Sequence, residues 1–247
     1  MAHGTLINGT AYEITGGKCL VGGVEYSIQR GRTLVGGTGY DIAFGTPLSD
    51  YAEGDIVYIN ENGVPIEFYV AKHNYESTLN GDGRVLMVRK SGHSLGMWNT
   101  TNVNEWGNSS LLSWLNGTYK SLLDTNLRSM ISTTKYKYTP GNGKWIVRTR
   151  SDPVFLLSLQ ELGKSSDYAN VEGSTLPISQ VLINDFTDGG SAGQWVRTPD
   201  TESEKYAFFV STPSSDFIFP DRCTATRWVR PVFTLPSNAV VIDGAIL

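Results

Sequence analysis

The sequence is short of the residues that most enzyme and metal chemistry needs. Two cysteines, Cys19 and Cys223, and three histidines, His3, His73 and His93, are scattered through 247 residues. Cysteines so far apart give neither a disulfide framework nor the paired spacing of a zinc site, so they read as small hydrophobic side chains. No histidine neighbours a nucleophile motif, G-x-S-x-G does not occur, and no glycine-rich phosphate loop leads into a helix. Basic charge is also scarce: 20 Lys and Arg stand against 24 Asp and Glu, for a net charge of −4. Without a Lys/Arg run, nucleic acid and anionic membranes are excluded as natural partners. No stretch reaches the roughly 18 apolar residues of a membrane helix, and MAHGTLINGT lacks the basic start and apolar core of a signal peptide. The expectation is a soluble chain made in the cytoplasm and not inserted in a membrane.

What is abundant points to β-structure. The 27 Gly, 12 Tyr and 6 Trp suit turns and aromatic surfaces, and a hydrophobic content of 40% is enough for one large domain with a small appendage. The appendage is a repeat. LINGTAYEI, LVGGVEYSI and LVGGTGYDI recur at a period of fourteen, aligning Leu6, Leu20 and Leu34, then Tyr12, Tyr26 and Tyr40, then Ile14, Ile28 and Ile42. Each unit alternates at period two on either side of Asn8-Gly9, Gly22-Gly23 or Gly36-Gly37, the dipeptides that two-residue hairpin turns favour. Lone hairpins are marginal in water, so the three must pack on each other, on the main domain or on other subunits, and residues 1–48 are expected to be a docking or oligomerisation element.

Beyond FGTPLSDYAEGD the pattern changes, and residues 49–247 read as one domain. GDIVYINENGVPIEFYVAKHNYE predicts two strands around Asn62-Gly63, and GRVLMVRK a third. Leu111, Leu115, Tyr119 and Leu122 recur at helical spacing behind an N-cap at Ser109 or Ser110. Asp124 or Thr125 is expected to cap a second short helix, and PVFLLSLQELGK to pass from a buried strand into a helical turn ended by Gly163. The fold class expected is α+β, with two or three short helices.

Taken in order, GDIVYINENGVPIEFYV, the helical segment, DPVFLLSLQELG, WVRTP and VRPVFTLPS resemble an uncharacterised domain family of phages and prophages of Gram-positive gut bacteria. The resemblance covers roughly residues 50 to 240. It implies a C-type-lectin-like fold, as elaborated in formylglycine-generating enzymes and in the variable proteins that phage retroelements diversify. The triple repeat is similar to N-terminal segments of phage tail proteins. Trp228 departs from the small residue expected before VRP, and Val196 from a common second Trp. A formylglycine-generating activity looks to two cysteines late in the domain, where only Cys223 stands, so that chemistry is not expected. Calcium binding of the lectin type lacks its E-P-N and W-N-D segments, which leaves Asp185 and Asp188 as the remaining oxygen cluster; the expectation is no metal and no cofactor.

Two stretches carry the composition of recognition surfaces. Between WVRTPD and RWVRP, Phe217, Phe219, Asp221, Arg222, Thr224, Thr226, Arg227 and Trp228 mix rings, guanidinium and hydroxyls. Of these Arg222, Thr224, Thr226 and Trp228 are the expected contacts, with Phe217 and Asp221 beside them. In MWNTTNVNEWGNSS, Trp98, Asn99 and Trp106 form a second candidate, with indole faces for a sugar ring and amides for its hydroxyls. Trp195, Arg197, Arg230 and Pro231 read as structural, Glu161 as a solvated helix residue and Asp152 as a turn residue. The function expected is non-enzymatic: a phage or prophage tail protein in the virion that binds a bacterial surface ligand, glycan or protein. Its other partners are tail proteins and further copies of itself, a trimer among the options. A purely structural virion protein and a cell-wall hydrolase are the alternatives.

Overall fold

The architecture is that of a computed structural model, which describes residues 45–186, 192–211 and 218–246 in full and, within residues 4–43, the backbone of six strands. These are β1 (Gly4–Ile7) with β2 (Thr10–Glu13), β3 (Lys18–Val21) with β4 (Val24–Ser27), and β5 (Arg30–Val35) with β6 (Thr38–Ala43). Each pair is its own antiparallel two-stranded sheet, as the alternation in each repeat predicts. The turn dipeptides at 8–9, 22–23 and 36–37 lie outside the described residues.

The large domain begins at β7 (Thr46–Pro47), followed by the fully buried Leu48. β8 (Ile56–Glu61) and β9 (Val64–Lys72) form the hairpin expected around Asn62-Gly63. Both turn residues have positive φ, 51° and 77°, the geometry that Asn-Gly adopts most easily. A single turn, α1 (Ser77–Asn80), leads to β10 (Arg84–Arg89) and then β11 (Ser94–Met97). Helical residues follow as α2 (Ser110–Trp114), a π-turn at Leu115–Tyr119, and α3 (Lys120–Leu122). Ser109 caps this run, its side chain accepting from the Leu112 N–H at 3.1 Å. Asn116 donates to the Leu112 and Val154 carbonyls and accepts from the Val154 N–H, so the Asn-Gly step that loosens the helix also ties it to a strand.

After α4 (Thr125–Met130) come β12 (Thr134–Tyr138), β13 (Arg148–Asp152) and β14 (Val154–Phe155). α5 (Ser179–Asn184) precedes β15 (Gln194–Pro199), β16 (Tyr206–Val210), β17 (Ile218–Arg222) and β18 (Thr226–Val229). The described chain closes with β19 (Val232–Pro236), β20 (Val240–Ile242) and β21 (Ala245–Ile246). One sheet has the order β14-β19-β10-β9-β8-β21-β20-β7, another β11-β18-β15-β16-β17, and β12-β13 pair alone.

The α+β, C-type-lectin-like expectation is overturned: strand accounts for 38% and helix for 19%, so the described fold is mostly β, with short helical pieces on two large sheets. Continuous apolar runs explain why. Val85, Leu86, Met87 and Val88 are all fully buried, as in a strand covered on both faces. The same holds across VRPVFTL, where Val229, Arg230 and Val232 through Leu235 are all buried, so no half of this segment alternates outward.

Candidate functional site

The most buried charges belong to the scaffold. Arg197 of WVRTP is fully buried and grips Glu161 of LQELG with two hydrogen bonds, 2.7 and 3.1 Å. Its remaining donors reach the carbonyls of Leu156, Lys137 and Glu172. Tyr75 donates to Glu161 at 2.5 Å and Thr198 to Glu172 at 3.0 Å. Burial holds the Glu172 carboxyl above its ordinary value, against the pull of Arg197. Glu161 is therefore no solvated helix residue: it is 1% exposed and, with Glu172, faces the guanidinium that threads the core. Asp152 is not a turn residue either but closes β13, buried, accepting from Tyr136 at 2.6 Å and from Arg150. Arg230 donates to the Arg89 and Leu182 carbonyls, which fastens α5 to the sheet. Trp195, Arg197, Arg230 and Pro231 are all buried, as a structural role requires.

The second sequence candidate moves inside as well. Trp98 and Trp106 are fully buried, with ring centroids 5.3 Å apart. Their indole N–H groups are consumed by the Val196 carbonyl and the Tyr136 hydroxyl, at 2.9 and 3.0 Å. Asn99 donates to the Val103 carbonyl and accepts from the Ser110 N–H, so it folds the loop that starts α2. These three residues are corrected from ligand contacts to core. Asp185 accepts a hydrogen bond from Tyr69, and Asp188 lies outside the described residues. Among the described residues no group of three or more His, Cys, Asp or Glu could hold a metal ion.

The described residues of the first candidate divide between exposed and half-buried positions. Phe217 lies outside the described residues. Asp221 is half-buried and bound to Arg227 at 2.5 Å, and the Arg227 guanidinium lies 4.0 Å over the Phe209 ring. Arg222 and Thr226 are exposed, and Thr224 is half-buried. Trp228 is also half-buried. Its ring lies so close to Gly92 that a Cβ there would stand 2.7 Å away, and its own indole N–H, buried, meets no acceptor among the described residues.

β18 puts Thr226 and Trp228 opposite Met97 and Leu95 of β11. Directly paired residues share a face of the sheet, so the four form one array. Leu95 is 54% exposed and Met97 43%, a cluster of apolar surface that sequence reasoning missed. The signal was present in HSLGMW, an apolar alternation with no charge to guard it, but it stood beside two tryptophans that drew the reading instead. Beside this array a groove of about 420 Å³ runs between β11 and α2, lined by Ser94, Leu95, Met97, Ser110, Leu111 and Trp114 among others. None of its lining side chains is charged. At one end Trp114 packs with His93 and Tyr119, at ring distances of 5.2 and 5.7 Å, and Tyr119 in turn donates to Glu61, the partner of Arg89. Burial lowers the His93 pKa from its ordinary value. A second cavity, about 380 Å³, lies along the loop from Pro140 to Arg148, where Lys144 is held by Glu105 at 3.2 Å.

Comparison with curated proteins and with solved structures finds no match for this chain. Residues 82–237 match the model of a family described as a domain of unknown function, DUF6273. That span takes in β10 through β19, the WVRTP and VRPVF segments, Arg197 with Glu161 and Glu172, and every residue of the groove. It covers more than half of the sequence, and the chain belongs to the DUF6273 family.

Proposed function

We propose that this chain is a tail-associated adhesion protein of a phage or prophage, which binds a bacterial surface ligand without turning it over. The observation that carries the reading is the exposed apolar pair Leu95 and Met97, set in one array with Thr226 and the half-buried Trp228, beside an uncharged groove at the edge of a sheet. Exposed apolar groups gathered on a fixed scaffold mark a surface that something covers. The most buried carboxylates support binding over catalysis, because Glu161 and Glu172 are committed to Arg197 inside the core. The N-terminal hairpins, and their resemblance to tail segments, support attachment to a particle through a part of the sequence separate from the groove.

The test is whole-cell binding with the full-length chain on Gram-positive gut isolates. Replacing Leu95 and Met97 together by Asp is expected to weaken binding about tenfold or more while leaving the melting temperature near that of the parent. Release of glycan or peptide fragments from the cells would instead mark a hydrolase. Absence of binding to every isolate would leave the structural virion role.

A further inference from the structure

We infer that the ligand of this groove is an extended, uncharged peptide segment, taken up as an additional strand on the outer edge of β11. The inference rests on the adhesion reading and narrows its ligand from any surface molecule to polypeptide. Trp228 donates its backbone N–H to the Gly193 carbonyl at 3.0 Å, on the β15 side of β18. Successive residues of a strand turn their backbone groups to opposite sides, so Arg227 and Val229 turn theirs toward β11, where their register partners are Gly96 and Ser94. Leu95 and Met97 are out of phase with those partners. Their N–H and C=O groups therefore face the open side, since among the described residues β11 pairs with β18 alone. Two donors and two acceptors, repeating about every 7 Å, match the two-residue repeat of another extended backbone.

The two ends of this sheet are treated differently. β17, at the far edge, reads IFPDR, with the proline and charges that keep an edge from pairing. β11 reads SLGM and has none of them. An unguarded edge is a liability unless it is used, and here it opens onto a groove with room for side chains. Alternate side chains of an added strand would meet Leu111 and Trp114 on α2, and Leu95 and Met97 on the array, which is how strand addition gains specificity. An uncharged lining favours apolar and hydroxyl side chains over charged ones.

The experiment uses the full-length protein and a displayed library of random nonapeptides, followed by binding to whole cells before and after protease shaving. Enriched peptides are expected to be apolar, and to lose about tenfold or more in affinity when N-methylated at alternate amides but not at those between. Met97→Pro removes one outward N–H at a position where an edge strand tolerates proline, and is expected to abolish peptide binding. Leu95→Lys leaves the backbone intact, guards the edge with charge, and should act in the same direction even where the proline variant fails to fold. Shaving is expected to remove cell binding. Cell binding that survives shaving and is lost on periodate oxidation would overturn strand addition and leave adhesion standing, with a glycan as ligand. Peptide capture without binding to any cell would support strand addition and sink adhesion. Concentration-dependent self-association that Met97→Pro abolishes would overturn the peptide ligand in favour of a second copy.

Discussion

Arg197, Trp98 and Trp228 show how differently side chains of the same apparent kind behave. Replacing Arg197 by Met would leave Glu161 and Glu172 buried without their cation, and is expected to lower unfolding free energy by about 3–5 kcal/mol in urea titrations. The exposed Arg222, by contrast, should tolerate Ala within about 0.5 kcal/mol. A variant at Arg197 that melts with the parent would show that the cluster does not hold the fold. Cys223 is fully buried, and burial above all pushes its thiol up to about 12. In a Cys19→Ser background it should resist iodoacetamide at pH 8 until the protein unfolds, because the thiolate is the reactive form. Rapid alkylation of the native protein would contradict that environment. The burial of Arg197 was legible in WVRTP, but its partner was not. Glu161 lies 36 residues away, and nothing local distinguishes it from a surface glutamate. Trp98 and Trp228 could not be told apart for the same reason: the acceptor for Trp98 is on β15, and the glycine under Trp228 precedes β11.

At the scale of elements, the periodicities were readable where a strand or helix has one polar face. The β8–β9 hairpin, the Ser109 cap and the three N-terminal hairpins follow from local pattern and turn chemistry. The expected class failed where strands are covered on both faces, because a continuous apolar run does not reveal how many neighbours it has. The join between β11 and α2 offers a direct test through His93, which packs edge-on against Trp114 and Tyr119. Burial first, then Arg89, lowers its pKa in the folded state, while the charge of Glu61 opposes them. Between the unfolded value of about 6.5 and the lower folded value, the unfolded chain therefore binds more protons. This contribution to stability is present above that window and is lost as pH falls through it. The parent should lose stability relative to His93→Gln on going from pH 7.5 to 5, measured as the difference between their denaturation midpoints. Burial sets Glu172 the opposite way, its raised pKa favouring the fold as pH falls, which is why the difference between the two proteins is the quantity to follow. Parallel pH profiles for the two would mean the imidazole is no more desolvated in the folded protein than in the unfolded chain.

For the whole molecule, the family match and the folding unit are not the same length. The match runs over residues 82–237, yet the eight-stranded sheet also needs β7, β8, β9, β20 and β21, which lie outside it. A fragment limited to 82–237 would expose the edge of β10 that pairs with β9 and is expected to aggregate. Residues 45–247 alone should give a cooperative melt close to that of the full chain, because the hairpins of the repeat form separate two-stranded sheets. A folded 82–237 fragment, seen as dispersed amide resonances, would refute this division. The sheet also brings the start and finish of the domain together. Val240 pairs with Pro47 on β7, while β21 lies against β8 through Ala245 and Tyr58. The order in which the strands are synthesised is therefore not fixed by their arrangement in space. A short linker from 246 to 45, with new ends opened at the Asn62-Gly63 turn, would turn the sequence into a circular permutant with every sheet contact intact. The same closeness of ends allows the domain to be carried as a loop inside an unrelated host protein, displaying the β11 edge wherever the host has a turn to spare.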